Sequence, residues 1–226
     1  MAPPVEQAVA LEVDATHRVS GLLIAPPRAS ACYVLAHGAG AGMTHPAIRS
    51  VAVELAERSI ATLRYQFPYM EQGSKRPDPP ALCHATVRAA VAKAGALKLP
   101  LIAGGRSFGG RMTSQAQAKS ALPGVRGLAF LGFPLHPAGR PSDERAEHLF
   151  DVTIPMLFLQ GTRDALAELS LLRPLIDRLG QRATLTVFED ADHSFHVPAK
   201  TGRKDAEVRA EMLDALVAWT RGVIAA

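Results

Sequence analysis

The chain has little of what marks secreted, membrane or metal-binding proteins. Its only cysteines are Cys32 and Cys83; both lie in apolar segments, so we expect reduced, buried thiols. No apolar run approaches the roughly 18 residues of a membrane span, and the first residues lack the basic and apolar stretches of a signal peptide. The eight histidines show no metal-ligand spacing. We therefore expect a cytoplasmic protein that uses no membrane, metal or cofactor.

Charge of one sign is not concentrated anywhere in the sequence. The net charge is +4 over 226 residues, and no basic stripe with interleaved aromatics is present, which argues against a nucleic-acid partner. A hydrophobic fraction of 48% with 20% charged residues is typical of a globular protein. Because no linker, repeat or low-complexity segment divides the chain, we predict one domain over residues 1–226.

Apolar runs of two lengths alternate along the chain. Short runs predict strands at residues 9–13, 19–24, 32–36, 60–65, 99–103, 126–133, 156–160 and 184–188. Apolar residues at helical spacing predict helices at residues 48–58, 82–96, 111–119, 166–179 and 206–224. The first two strands read as an antiparallel pair. From residue 32 onward strand and helix alternate, which predicts a mostly parallel sheet with helices on both faces.

The segment Gly105-Arg106-Ser107-Phe108-Gly109 matches the G-x-S-x-G pattern between a predicted strand and a predicted helix. In that context the pattern indicates a sharp turn that lifts a serine hydroxyl above the sheet, at a helix N-terminus. The glycines relieve contacts that a Cβ atom would make in so tight a turn. An ordinary glycine-rich turn is the alternative, but we favour Ser107 as a nucleophile.

A serine nucleophile needs a histidine base and an orienting carboxylate. Asp164 follows the predicted strand 156–160, and His193 follows the last predicted strand. We therefore predict Asp164 and His193 as the partners of Ser107. The alternatives are that Asp164 only caps the following helix and that His196 is the base; Asp190 and Asp192 fit a role in shaping their loop.

The small residues 38–42 follow the predicted strand 32–36, where a backbone amide can approach an oxyanion closely. We predict that the amides of Phe108 and Ala39 form an oxyanion hole, with Gly40 as the alternative to Ala39. Spacing and missing lysine argue against a phosphate-binding loop. The remaining candidates for a substrate pocket are Gly40, Met43, Phe67, Tyr69, Met70 and Leu135.

Two arginines, Arg106 and Arg111, flank the serine. They could bind an anionic group of a substrate, but pairing with nearby acids that brace the turn is the interpretation we favour. His45 and His136 lie in loops at the same predicted edge without an assigned role.

Several separated motifs together resemble the α/β-hydrolase superfamily over nearly the whole chain. They lie at residues 36–40, 64–70, 104–112, 132–137, 159–164 and 191–195. More narrowly, the chain resembles predicted hydrolases with dienelactone-hydrolase-like cores, a branch that includes a testis-expressed eukaryotic protein and a regulatory subunit of the NSL histone acetyltransferase complex. The resemblance implies an α/β-hydrolase fold of about seven or eight strands and carries the triad onto Ser107, Asp164 and His193. Dienelactone hydrolases proper use cysteine where this chain has Ser107.

The sequence thus predicts a serine hydrolase of esterase or thioesterase type, acting on a small or medium acyl substrate. Only residues 134–152 separate the two strands between which many such enzymes carry a cap, so we expect no large cap. The alternatives are a non-catalytic interaction protein that keeps the fold and an acyltransferase.

Overall fold

The computed structural model describes residues 5–225; the prediction about a signal peptide falls partly on residues 1–4, outside this range. The described residues contain eight strands and six α-helices. The strands are β1 (Gln7–Glu12), β2 (Arg18–Ile24), β3 (Ala31–Ala36), β4 (Ile60–Tyr65), β5 (Leu101–Arg106), β6 (Val125–Leu131), β7 (Met156–Gly161) and β8 (Ala183–Phe188). The helices are α1 (Pro46–Glu57), α2 (Pro68–Glu71), α3 (Pro80–Gly95), α4 (Phe108–Lys119), α5 (Leu169–Leu179) and α6 (Asp205–Ala225).

All eight strands form one sheet in the order β1-β2-β4-β3-β5-β6-β7-β8. As predicted, β1 pairs antiparallel with β2. Strand β2 also pairs antiparallel with β4, whereas the strands from β4 to β8 pair in parallel. The carboxyl ends of β3, β5, β6, β7 and β8 therefore meet at one edge, where open parallel sheets hold their sites.

Helices cover both faces of the sheet, and the strands divide their side chains between two apolar cores. In β3, Cys32 and Val34 face a core shared with α3, α4 and α5, whereas Tyr33 and Leu35 face a core shared with α1 and α6. This two-residue alternation follows from the pleat of a strand. Because both faces are buried, β3 is apolar along its whole length. Cys32 and Cys83 are buried free thiols, as predicted.

Among the predicted boundaries that shift, three show how local geometry overrides the apolar pattern. Strand β5 continues to Arg106 rather than ending at residue 103, since Gly104 and Gly105 stay paired with β3 and β6. Helix α5 begins at Leu169 rather than 166, because residues 164–167 form a turn. Strand β6 ends at Leu131 rather than Phe133, just before Gly132 adopts a positive φ of 71°.

The connection between β6 and β7 is short. Within residues 5–225 its only regular element is a 3-10 helix (Glu144–Asp151), and no large cap domain covers the sheet edge. Over the same range, no helix is long and apolar enough to cross a membrane.

Candidate active site

Ser107 lies in the turn between β5 and α4 and has an unusual backbone conformation. Its φ of 50° and ψ of −118° are strained for a residue with a Cβ atom. Two glycines make the turn possible: a Cβ at Gly105 would lie 2.3 Å from the carbonyl oxygen of Ala36, and one at Gly109 would lie 2.5 Å from that of His37. Both glycines let the turn pack directly against the end of β3.

Ser107, His193 and Asp164 form a continuous line of hydrogen bonds. The Ser107 Oγ atom lies 2.8 Å from His193 Nε2, and His193 Nδ1 lies 2.7 Å from Asp164 Oδ2. The Asp164 carboxylate is fully buried, whereas the His193 side chain is 22% exposed. With the Nδ1 proton directed at the carboxylate, Nε2 is left to accept the serine proton.

The Asp164 carboxylate has further donors that the sequence analysis did not identify. The amide of Gln160, at the carboxyl end of β7, donates through Nε2 to Asp164 Oδ2. The Leu166 backbone amide donates to Asp164 Oδ1 at 2.8 Å. Gln160 is fully buried, and its Oε1 accepts from the Phe133 amide at 3.0 Å. The signal available in the sequence was a lone polar side chain in an apolar strand four residues before Asp164.

The alternative that Asp164 only caps a helix is not met, because α5 begins at Leu169 and its N-cap residue is Glu168. The alternative base, His196, forms no hydrogen bond with Ser107 among the described residues, since the Ser107 hydroxyl is bonded to His193. The exposed His196 ring contacts the Asp205 carboxylate at 2.9 Å. That ion pair raises the pKa of His196 above its ordinary value, first through the hydrogen bond to Asp205.

The loop that carries His193 is shaped by Asp192. Its Oδ1 accepts from the backbone amides of Ser194 at 2.7 Å and His196 at 3.0 Å, as an Asx turn does. Gly161 lets this loop cross β7 closely, because a Cβ there would lie 2.1 Å from the carbonyl oxygen of Ala191. The loop is thus held by Asp192, while the His193 ring is hydrogen-bonded to Asp164.

Of the two predicted oxyanion donors, Phe108 follows Ser107 directly in the chain and Ala39 lines the same cavity as Ser107. Phe108 is the first residue of α4, where the amides precede the helical hydrogen-bond ladder. Ala39 and Gly40 follow β3 and line the cavity that contains Ser107 and His193. The Tyr69 hydroxyl donates to the Ala39 carbonyl oxygen at 2.9 Å and so orients the peptide unit between Ala39 and Gly40, which carries the Gly40 amide.

His37, at the start of the same loop, is fully buried. Its Nδ1 lies 2.7 Å from the Gly38 carbonyl oxygen, and its Nε2 accepts from the Phe67 amide at 3.0 Å. Burial lowers the pKa of His37 to about 4. The ring is therefore neutral at pH 7, with its proton on Nδ1, and it ties the 38–42 loop to the segment that carries Tyr69.

A family model described as "Alpha/beta hydrolase domain" matches residues 29–221, most of the chain. The chain belongs to the α/β-hydrolase family.

Solved structures share this fold at low sequence identity. A dienelactone hydrolase from Anabaena variabilis superimposes with a TM-score of 0.77 at 21% identity, covering 98% of this chain and 99% of that one. A serine hydrolase without a lid from Xanthomonas campestris gives a TM-score of 0.73 at 22% identity, covering 97% of each chain. A dienelactone-hydrolase-like promiscuous phosphotriesterase from metagenomic libraries gives 0.73 at 17% identity, covering 98% and 99%.

In this α/β-hydrolase, the cavity beside Ser107 has a volume of about 440 Å³. Its wall differs from the predicted one. Of the predicted pocket residues Gly40 lines it, together with Ala41, His45, Ala47, Ile48, Arg106, Leu166 and Ser194. The structure places Met43, Phe67, Tyr69 and Leu135 in the core and Met70 against it, none of them on this cavity. Phe67 and Tyr69 instead pack against the rings of His37 and Phe108, so they contact the residue that follows Ser107 in the turn.

The two arginines that flank Ser107 form no ion pairs that would hold the turn between β5 and α4. Among the described residues, neither Arg106 nor Arg111 has a carboxylate partner within 4.0 Å. Arg111 instead lies over the Phe108 ring, with 6.0 Å between Cζ and the ring centroid. The bracing interpretation that the sequence favoured is therefore wrong: Asp192 and Asp164, the acids whose charges act on Arg106, are hydrogen-bonded to other groups. His136, also without a predicted role, is buried and accepts from the Glu168 amide.

In the described part of this α/β-hydrolase, no group of three or more His, Cys, Asp or Glu side chains is arranged to hold a metal ion. The side chains that meet at the sheet edge are those of acid–base and nucleophilic chemistry.

Proposed function

We propose that the chain is a serine hydrolase of carboxylesterase or thioesterase type, acting on small or medium acyl substrates. The observation that carries the proposal is the hydrogen-bonded line from Ser107 through His193 to Asp164, with distances of 2.8 and 2.7 Å. A nucleophile, a base and a buried orienting carboxylate at such distances can activate a hydroxyl. The strained φ of Ser107 adds support, because strain of this kind concentrates at working sites.

The reaction follows from the positions of these groups. His193 Nε2 takes the proton of Ser107 Oγ as the oxygen attacks the substrate carbonyl carbon, while Asp164 stabilises the imidazolium. The amides of Phe108 and Ala39 hold the oxyanion. The imidazolium then protonates the departing alcohol or thiol, which leaves an acyl group on Ser107. His193 next deprotonates a water molecule that attacks this ester, and the imidazolium returns the proton to Ser107 Oγ as the bond between Oγ and the acyl carbon breaks and the carboxylic acid leaves.

Substrate size is limited by the cavity rather than by a cap. A volume of about 440 Å³ open at the sheet edge fits a small or medium acyl group. We also assign the chain to the branch related to the testis-expressed and NSL-complex proteins, on the motifs quoted above. Transfer of the acyl group to an acceptor other than water shares every step up to the acyl-enzyme, so an added alcohol or amine acceptor separates the two outcomes.

The test is hydrolysis of p-nitrophenyl butyrate and of an acyl thioester by purified protein and by variants. Ser107→Ala removes the activity, and Asp164→Asn lowers kcat about a thousandfold or more by favouring the wrong imidazole tautomer. Ser170→Ala is the matched control, since Ser170 is an exposed serine on α5. Hydrolysis that persists in Ser107→Ala at the wild-type rate would refute the proposal.

A further inference from the structure

Arg106 is the last residue of β5 and directly precedes Ser107. Its Nη2 group donates to Ser194 Oγ at 2.9 Å, which occupies one of the five N–H donors of a guanidinium. The side chain lines the cavity that contains Ser107 and also an adjoining cavity of about 160 Å³. Ala47, Ile48 and Ser194 line both cavities too, so the two spaces are neighbours with Arg106 at their junction.

The charge of Arg106 is not neutralised by contact with an acid. Burial lowers its pKa, opposed by the fields of Asp192 and Asp164, but a guanidinium stays charged at neutral pH. Both acids are engaged elsewhere: Asp192 accepts two backbone amides, and Asp164 is bonded to His193 and Gln160. A partly buried cation without an ion pair beside a nucleophile is costly unless a ligand supplies the counter-charge.

The other charged side chains at the adjoining cavity already have partners of opposite charge. Arg209 Nε lies 2.6 Å from Glu54 Oε1, and Asp205 is paired with His196 at 2.9 Å. The rest of the wall is largely apolar and includes Ile48, Leu131, Phe195 and Met212. Within residues 5–225, Arg106 is therefore the cation of these two cavities that has no acidic partner.

We propose that Arg106 binds a carboxylate of the substrate, so that the site prefers esters or thioesters carrying an anionic group to neutral ones. The planar fork of a guanidinium matches a carboxylate with two parallel hydrogen bonds. The apolar wall beside it receives the methylene groups between that carboxylate and the scissile carbonyl. The carboxylate belongs to either the acyl or the alcohol part of the substrate. This inference rests on the proposed function.

Two substrate pairs test the inference. The first pair compares p-nitrophenyl butyrate with the p-nitrophenyl monoester of glutaric acid, which places the carboxylate on the acyl side. The second compares the acetate ester of a hydroxyphenyl propionic acid with that of its amide, which places it on the alcohol side. In the wild-type protein, we expect kcat/KM to be about tenfold to a hundredfold higher for the anionic member of one pair, as for a charge-assisted hydrogen bond. The pair that shows the preference identifies the side that Arg106 contacts.

Arg106→Gln removes the charge and keeps a donor for Ser194, so the ratio of kcat/KM between the anionic and the neutral ester of that pair should fall to about one. Arg173→Gln is the matched control, since Arg173 is exposed on α5 and its loss changes the net charge equally.

Three outcomes overturn the inference: no preference in either pair with wild-type protein, a preference that survives in Arg106→Gln, or an equal loss on charged and neutral esters, which indicates a bracing role. If neutral esters are hydrolysed through Ser107 without any preference, only this inference fails. If Ser107→Ala hydrolyses esters at the wild-type rate, the proposed function fails as well.

Discussion

Replacing Gln160 by methionine tests how the buried acid of the triad is held. Methionine keeps the length and volume of glutamine but cannot donate to Asp164 or accept from the Phe133 amide, the two hydrogen bonds that Gln160 makes. A hydrogen bond to a charged group contributes about 1.5–3 kcal/mol, and a buried amide left without a partner costs about 1–3 kcal/mol. We therefore expect the free energy of unfolding to fall by about 2.5–6 kcal/mol in Gln160→Met.

The same substitution should lower activity, because the Asp164 carboxylate orients His193. If the lost hydrogen bond is fully expressed in the transition state, 1.5–3 kcal/mol corresponds to a decrease in kcat of about tenfold to a hundredfold. KM should change little, since Gln160 does not line the cavity beside Ser107. Urea denaturation and steady-state hydrolysis of p-nitrophenyl butyrate measure the two effects.

Gln117→Met is the matched control for this experiment. Gln117 is a buried glutamine on α4 whose Oε1 accepts from the Leu122 amide at 2.8 Å, but it contacts no residue of the triad. We expect it to lose stability and to keep kcat. If folded Gln160→Met has the same kcat as Gln117→Met, the idea that Gln160 positions Asp164 is wrong.

Three further predictions concern the surroundings of the site. Tyr69→Phe frees the Ala39 carbonyl oxygen, whose peptide unit carries the Gly40 amide, and should lower kcat about tenfold at similar KM. Tyr65→Phe removes a buried hydroxyl without a partner among the described residues and should not lower kcat; equal kcat in the two variants would contradict this. A Cβ at Gly104 would lie 1.8 Å from a carbonyl oxygen of β6 at a φ of 154°, so in urea denaturation Gly104→Ala should destabilise by at least about 3 kcal/mol. Gly95→Ala, where a Cβ meets nothing within 4 Å, should not destabilise, and equal midpoints would refute the clash. Because burial lowers the pKa of His37 from 6.5 to about 4, the unfolded chain binds this proton first on acidification. His37 should therefore contribute a fall of about 3 kcal/mol in stability between pH 6.5 and 4, in the range where the lowered pKa of His148 acts in the same direction. His37→Asn should make the decline shallower in urea titrations; an unchanged slope would show that His37 does not contribute to it.

The fold could be predicted from the sequence because its strands are buried on both faces. Continuous apolar runs such as 32–36 and 60–65 identify strands directly, and the helices between them carry apolar residues at helical spacing. The ends of elements were harder to predict. Gly104 and Gly105 look like turn residues, yet both belong to β5. Glycine is needed there because the neighbouring strands β3 and β6 lie too close to leave room for a Cβ atom.

The proximity of Ser107, Asp164 and His193 could be predicted because each residue follows a strand, and the parallel strands end at the same edge of the sheet. What surrounds the triad could not. Tyr69 has an aromatic ring in a segment that the sequence places at the edge of the site, which predicted a residue of the pocket wall. In the structure its hydroxyl donates to the Ala39 carbonyl oxygen instead. Likewise, nothing in the sequence tells which acids are near Arg106 and already engaged. Contacts of this kind depend on side-chain directions across the fold, which no local pattern encodes.

Labelling with a fluorophosphonate tests the central claim, that Ser107 is an activated nucleophile, most directly. Such a reagent forms a stable bond with a serine whose hydroxyl is deprotonated by a neighbouring base. We expect one label per chain, located on Ser107 by peptide mass analysis. The label should be retained in Ser170→Ala and absent from Ser107→Ala and from unfolded protein. Folded wild-type protein that takes up no label, or labelling that is unchanged in Ser107→Ala, would contradict it.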